Sequence, residues 1–230
     1  MCAEARRYAD TSQHPFSVAM AQTITLRVHQ LRGEAAVVAD QANEAISFCQ
    51  EHEFVHYLAM ALVLRGWATA RQGDFNNGMM QIREGLKKQR GAGASLFETY
   101  ILGLLADVCI ENERYEQALA YLAQAKVRLD DHNSERFYAA EIYRLLGEVR
   151  VRSRQDLSQA EEFLSKGLEV ARDQKARSLE LKICVSIYDL SVLTQKIEKP
   201  RSQLCEIYAS FNEGFDTADV VSAKARIEAR

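Results

Sequence analysis

Small residues return along this chain at a period of about 40, and that spacing restricts the fold more than any other feature. Leu26, Gly66, Ala106 and Gly147 stand 40, 40 and 41 residues apart. A second anchor follows each of them by 12 or 13 residues, at Val38, Gly78, Ala118 and Ala160. Ala42, Ile82, Leu122 and Leu164 come four residues later, and Ala45, Gly85, Ala125 and Gly167 three beyond those. A fixed period of this length is the signature of stacked supersecondary units, each burying its apolar face against the next. Gly inside a helix costs about 1 kcal/mol relative to Ala. Gly66, Gly78, Gly85, Gly147 and Gly167 all lie within helical patterns. They are expected where two helix backbones cross closely, with bulky neighbours filling the remaining space.

Each unit breaks at the same phase, at Arg32-Gly33-Glu34, Gln72-Gly73-Asp74, Glu111-Asn112-Glu113 and Arg154-Gln155-Asp156. Gly and Asn suit a helix C-terminal cap, and Asp or Glu suits the next N-terminus. A second set of breaks separates the units, at Glu51 to Phe54, Gly91 to Ser95, Asp130 to Ser134 and Gln174 to Ser178. The pattern predicts five helix hairpins, over 14–52, 55–90, 95–131, 135–173 and 178–212, and a closing helix over 217–229. Pro15 and Pro200 suit first turns of helices. Val220 and Ile227, seven apart, share one face of the closing helix. No long alternating β-branched run occurs, so the expectation is an all-α, right-handed superhelix of antiparallel pairs forming one repeat domain over 1–230. Residues 3–13 read as the end of a preceding second helix, so the chain is expected to be a piece of something longer.

The third unit carries Leu102, Leu105, Ala106, Ala118, Leu122 and Ala125, and the fourth Tyr143, Leu146, Gly147, Ala160 and Leu164. This pattern resembles the tetratricopeptide (TPR) repeat. It departs from it in a longer unit, a missing late Pro and sparse aromatics, with Phe163 one residue early in the fourth unit. Short phrases extend the likeness: His14-Pro15-Phe16-Ser17, Leu64-Arg65-Gly66-Trp67-Ala68, Ala140-Glu141-Ile142-Tyr143-Arg144-Leu145, Ser178-Leu179-Glu180-Leu181, and Gly214-Phe215-Asp216-Thr217-Ala218-Asp219. Together they resemble the C-terminal TPR-like superhelical region of large bacterial signalling proteins that join a nucleotide-cyclase or other head to an AAA/STAND-type ATPase. These are packing and capping residues, and no cyclase or ATPase motif accompanies them. The resemblance therefore implies architecture and a protein- or peptide-binding role, with neither activity carried over.

Composition removes other classes. Lys plus Arg is 29 against 32 Asp plus Glu, net −3, which lacks the basic footprint of a nucleic-acid binder. The longest apolar run, Tyr57 to Leu64, falls well short of the roughly 20 residues of a membrane helix. The N-terminus has no apolar core of a signal peptide. Cys2, Cys49, Cys109, Cys184 and Cys205 are odd in number, widely spaced and without a C-x-x-C, which reads as reduced, cytoplasmic usage. No cofactor is implied.

Two motifs suggest chemistry. His52-Glu53-Phe54-Val55-His56 spells H-E-x-x-H. A zinc peptidase needs that motif on one helix, with both His on the metal and Glu as base. Here it spans a break, so His52 is expected to end one helix and His56 to open the next. A zinc hydrolase is the enzymatic alternative it would support. Arg90-Gly91-Ala92-Gly93-Ala94-Ser95 is Gly-rich, but lacks the Lys-Ser/Thr of a phosphate loop and follows no strand. Arg150, Arg152 and Arg154, and Lys87, Lys88 and Arg90, read as solvated helix faces. His14, His29 and His132 fit no triad.

The first helix of each hairpin is expected to line the concave binding face of such an array. Counting from the anchors, the inward residues are Arg27 and Gln30; Met60, Trp67 and Arg71; Tyr100, Asp107 and Glu111; Glu141, Arg144, Glu148 and Arg152; and Lys182 and Asp189. Trp, Tyr and Arg are the usual interface anchors. The competing reading puts Trp67 in the core and pairs Glu141, Arg144 and Glu148 along their own helix. The leading function is a non-enzymatic scaffold for a protein or peptide, with homo-oligomerisation as the alternative.

Overall fold

The computed structural model describes residues 2–12, 14–93, 96–130 and 136–228. Among them are twelve α-helices and no strand. They are α1 (Cys2–Ser12), α2 (Pro15–Leu31), α3 (Ala35–Glu51), α4 (Val55–Arg71), α5 (Phe75–Gly91), α6 (Glu98–Glu111), α7 (Tyr115–Asp130), α8 (Ala139–Ser153), α9 (Leu157–Asp173), α10 (Arg177–Thr194), α11 (Glu198–Ala209) and α12 (Ala218–Glu228). Packing divides the chain into two compact units, Met1–Val108 and Cys109–Arg230. In the first unit α1 to α5 pack each on the next, and in the second α7 to α12 do so; α2 also packs on α4, α8 on α10 and α10 on α12. The second break set falls at α3/α4 and α9/α10; parts of the other two, at 94–95 and 131–134, lie outside the described residues.

The reason the chain turns where it does is a recurrent backbone conformation. Seven residues after each anchor the chain is left-handed: φ is +77° at Gly33, +102° at Gly73, +58° at Glu113 and +55° at Arg154. Gln195, at the same point after α10, has φ +59°. One left-handed residue ends a helix and reverses the chain, and the first two units place Gly there, where it costs least. Asp74 and Asp156 then cap the following helices, accepting from the backbone N–H of Asn77 (3.2 Å) and Gln159 (3.1 Å). Glu113 and Arg154 hold the same conformation against a side-chain penalty of about 1 kcal/mol. Arg154→Gly is therefore expected to raise stability by about 0.5–1 kcal/mol, and Gly73→Val to lower it. Thermal melts of the two variants check this, and an unchanged or lower midpoint for Arg154→Gly contradicts it.

The helical glycines sit at the crossings. A Cβ on Gly66 would stand 2.7 Å from the Gly78 carbonyl oxygen, and one on Gly78 would stand 2.6 Å from the Gly66 oxygen. Thus α4 and α5 touch backbone to backbone. A Cβ on Gly147 would meet Leu164 Cγ at 2.5 Å and the Ala160 oxygen at 3.2 Å, the two partners expected from the register. Around these crossings the first unit buries Leu26, Val38, Ala42, Ala59, Leu64 and Ile82. The second buries Leu164, Leu181, Leu204, Val220 and Ala223, with Ile227 packed against that core.

Candidate functional site

The expected inward residues divide between two environments. In the first unit Met60, Trp67 and Tyr100 are core side chains, essentially without solvent exposure. This corrects the expectation that they offer an accessible groove: α2 packs on α4, and the large side chains at these phases fill the interior. Tyr100 donates its hydroxyl to the Gln30 side-chain oxygen at 2.6 Å, and Gln30 is itself buried. Burial raises the Tyr100 pKa, keeping the phenol neutral. Arg27 lies 4.6 Å over the Phe97 ring, and exposed Arg71 lies 5.9 Å from the Trp67 ring. Among the described residues the buried Trp67 indole N–H meets no acceptor, and the ring fills the interior with its bulk. Asp107 is half-buried.

In the second unit the expected residues come together as ion pairs. Glu111 meets Arg152 (2.8 Å), and Arg152 donates through Nε to Glu148 (2.7 Å). Glu148 also accepts from the Ser186 hydroxyl (2.7 Å) and lies 3.6 Å from Arg144. Arg144 donates twice to Glu141, at 2.9 Å each, and Lys182 reaches Glu141 at 3.3 Å. Separately, Arg226 of α12 makes a two-pronged pair with Asp189, at 2.8 Å each. Glu141, Arg144 and Glu148 are buried. Burial alone would raise the Glu141 pKa, but the charges and hydrogen bonds of Arg144 and Lys182 outweigh it and lower the carboxyl to about 2. Glu148 is likewise raised by burial and lowered further by Arg144, Ser186 and Arg152, with a net downward shift. The two clusters set Glu111, Glu141, Glu148 and Asp189 against Arg144, Arg152, Lys182 and Arg226. Removing one member of such a set leaves its buried partner uncompensated, which is strongly destabilising.

The surface that inspection of the sequence passed over is on α2. Phe16, Met20, Ile24 and Leu31 are 48, 40, 43 and 47% exposed. Helical spacing of 100° per residue puts all four on one side, with Arg27 among them. Met20, Ile24 and Arg27 occupy the same register as Met60, Leu64 and Trp67 of α4, which are 2, 0 and 1% exposed. The middle of this face is therefore closed over in α4 and open in α2, while at its C-terminal end Arg71, in register with Leu31, is exposed as well. The signal was present in the segment PFSVAMAQTITLRVHQL, which contains no carboxylate and sets Phe16, Met20, Ile24 and Leu31 on the side opposite buried Leu26. A helix of that kind normally has both sides covered. Phe16 also packs edge-on against Phe54 (5.9 Å) and Tyr57 (5.3 Å), extending the patch toward α4.

His52 follows the last residue of α3 and His56 lies in the first turn of α4. His52 packs on Phe48 (4.4 Å) and Phe54 (5.8 Å), whereas His56 Nδ1 meets the Gln89 side-chain oxygen at 3.1 Å. Among the described residues no group of three or more His, Cys, Asp or Glu side chains could hold a metal ion. Gly93 of the Gly-rich segment is left-handed, φ +69°, while Ala94, Ser95 and His132 lie outside the described residues. Arg90 pairs with Glu98 (2.6 Å), Lys88 with Glu84 (3.9 Å), and Arg150 donates to the Leu146 carbonyl (2.7 Å). Burial raises the Cys49 and Cys184 thiols to about 11, which makes them poor nucleophiles. No described helix is long and apolar enough to cross a membrane. In comparisons with known proteins the chain matches no family model and no curated protein.

Proposed function

We propose that this chain is a non-enzymatic, TPR-like helical-repeat scaffold that holds a protein or peptide, acting as a sensory or assembly segment of a larger cytoplasmic signalling protein. The observation that supports it is the open face of α2. Four large apolar side chains stand half-exposed on one helix side; the α4 residues in register with Met20 and Ile24, Met60 and Leu64, are interior, while those in register with Phe16 and Leu31 are half-buried His56 and exposed Arg71. A contiguous exposed apolar patch marks an interaction surface, whereas isolated exposed apolar residues do not. Fifteen large apolar side chains are exposed among the described residues; α2 carries four of them, and no other helix carries more than two. On this reading the partner sits on α2. The charge clusters of the second unit hold helices α8, α10 and α12 in place and are not the recognition surface.

Capture of a partner from the source cell tests the reading. The double substitution Met20→Glu with Ile24→Glu is expected to abolish capture, at little cost in stability because both side chains are already part-exposed. Arg71→Glu, outside the α2 face, should leave capture intact. Capture that survives charge on α2 and fails with Arg71→Glu would move the site to the charged phases of the other first helices.

A further inference from the structure

A cleft of about 500 Å³ lies between α9 and α11, floored by α10. We infer that it docks a partner's amphipathic helix, one whose apolar stripe is flanked by carboxylates on one side and cations on the other. The cleft belongs to the second unit and makes no use of α2, so it adds a second surface to the scaffold reading, with its own partner chemistry.

The shape of the cleft selects a helix. The α9 and α11 helices both pack on α10 and not on each other, which leaves the channel between them open. Leu168, Ile187, Leu190 and Pro200 give it an apolar lining. The Ser191 and Thr194 hydroxyls donate to carbonyls of their own helix, Tyr188 at 2.7 Å and Leu190 at 3.2 Å, so the floor keeps no hydroxyl proton for a polar occupant. All three walls are helices, whose backbone N–H and C=O groups are paired internally. An extended segment would find no partner there for its own backbone, whereas a helix arrives with those groups satisfied. Ile187, Leu190 and Thr194 follow at intervals of 3 and 4, and Glu161, Ser165, Leu168 and Arg172 at 4, 3 and 4. These are helix ridges, and the groove between two ridges accepts the ridge of a third helix. The α9 wall runs from Glu161 to Asp173, roughly 18 Å at about 1.5 Å per residue, enough for about three turns of an occupant.

Charge selects which helix. Lys196 and Lys199 line the α11 side, and Glu161, Glu169 and Asp173 line the α9 side. Arg172, the cation on the α9 side, is engaged by Glu180 at 2.9 Å, and Glu169 is met by Lys166 at 2.8 Å. Among the described residues no ion pair joins the two walls, so opposite charges face each other across an apolar floor without meeting. A helix with carboxylates toward α11 and cations toward α9 complements both walls at once. A helix of one sign is repelled by one of them. Such complementarity sets orientation and partner choice more than affinity. The charges stand in solvent, so the dissociation constant is on the order of 10–100 µM.

Fluorescence anisotropy with the full chain and three labelled synthetic peptides provides the test. Each peptide has about 18 residues, long enough to form a helix, and all share one leucine stripe. Their flanks carry Glu on one side and Lys on the other, Lys on both, or Glu on both. The wild-type chain should prefer the mixed peptide over either uniform one by about threefold to tenfold. Lys196→Glu with Lys199→Glu, at two exposed positions and checked for retained helicity, makes both walls acidic. The preference should then pass to the Lys-flanked peptide. The Met20→Glu, Ile24→Glu variant should bind all three as wild type does. Absence of binding, equal affinity for the three peptides, a preference unmoved by the lysine substitutions, or binding lost in the α2 variant overturns the inference. Each of these results leaves the scaffold reading of α2 standing, which fails separately if charge on α2 does not affect capture of a partner.

Discussion

Arg144→Met is expected to destabilise the second unit by about 3–5 kcal/mol, the cost of removing one member of a buried charge cluster. The guanidinium donates twice to Glu141 and lies beside Glu148. Without it, two buried carboxylates are left to Lys182, Arg152 and Ser186, with Arg226 acting on Glu148 from farther off. The same cluster sets a pH dependence. The folded-state pKa of Glu141, about 2, lies below its ordinary 4.5, so its contribution is fully present above about pH 4.5. That contribution is lost as pH falls toward 2, and amounts to roughly 3 kcal/mol at about 1.4 kcal/mol per pH unit. Glu148, also lowered, adds in the same direction. Denaturant titrations at pH 7 and pH 3 should show a wild-type loss that is much smaller in Glu141→Gln. Equal acid sensitivity in the two proteins would mean that Glu141 contributes nothing to this loss.

The second large effect lies in the first unit. Gly66→Ala places a methyl 2.7–2.8 Å from backbone atoms of Gly78 and Ile82, closer than real Cβ contacts come, and no flexible side-chain end can yield. The helices α4 and α5 must part. Overpacking typically costs 1–3 kcal/mol, here at the upper end, offset by about 1 kcal/mol of improved helix propensity. A net loss of about 2 kcal/mol is expected for Ala, and more for Val. The control is Gly91→Ala, at the end of α5 with nothing within 4 Å of the new Cβ, which should leave the melt nearly unchanged. If both variants melt alike, the close crossing at Gly66 is not what holds the pair together.

Much of the fold was legible because its causes are local. The break phases come from a left-handed residue seven places after each anchor, and Gly33 and Gly73 announce it directly. Glu113 and Arg154 adopt the same conformation without Gly and were found only through the period. Gly147 against Ala160 and Leu164 was legible because a small residue inside a helix needs a close neighbour to explain it. The α1 helix and the closing α12 followed from the same patterning.

The site was harder to read, because phase on a helix does not reveal what lies across from it. Trp67 and Tyr100 share a phase with the expected inner face, yet the packing of the first unit encloses them. Glu141, Arg144 and Glu148 look like groove charges in sequence and are buried partners of one another. Met20, Ile24 and Leu31 resemble ordinary core residues, since an apolar position does not state whether a neighbour covers it. Only the comparison of α2 with α4 in the same register separates the two cases.

Methionine oxidation tests the claim about α2 most directly. Met20 is 40% exposed, Met60 and Met79 are 2% exposed, and Met80 is 59% exposed. Under brief peroxide treatment of dilute protein, Met20 and Met80 should oxidise while Met60 and Met79 stay protected. With the α2 face occupied by a captured partner, Met20 oxidation should fall several-fold while Met80 continues unchanged. A Met20 rate that stays level with that of Met80 under that condition would contradict a docking role for α2.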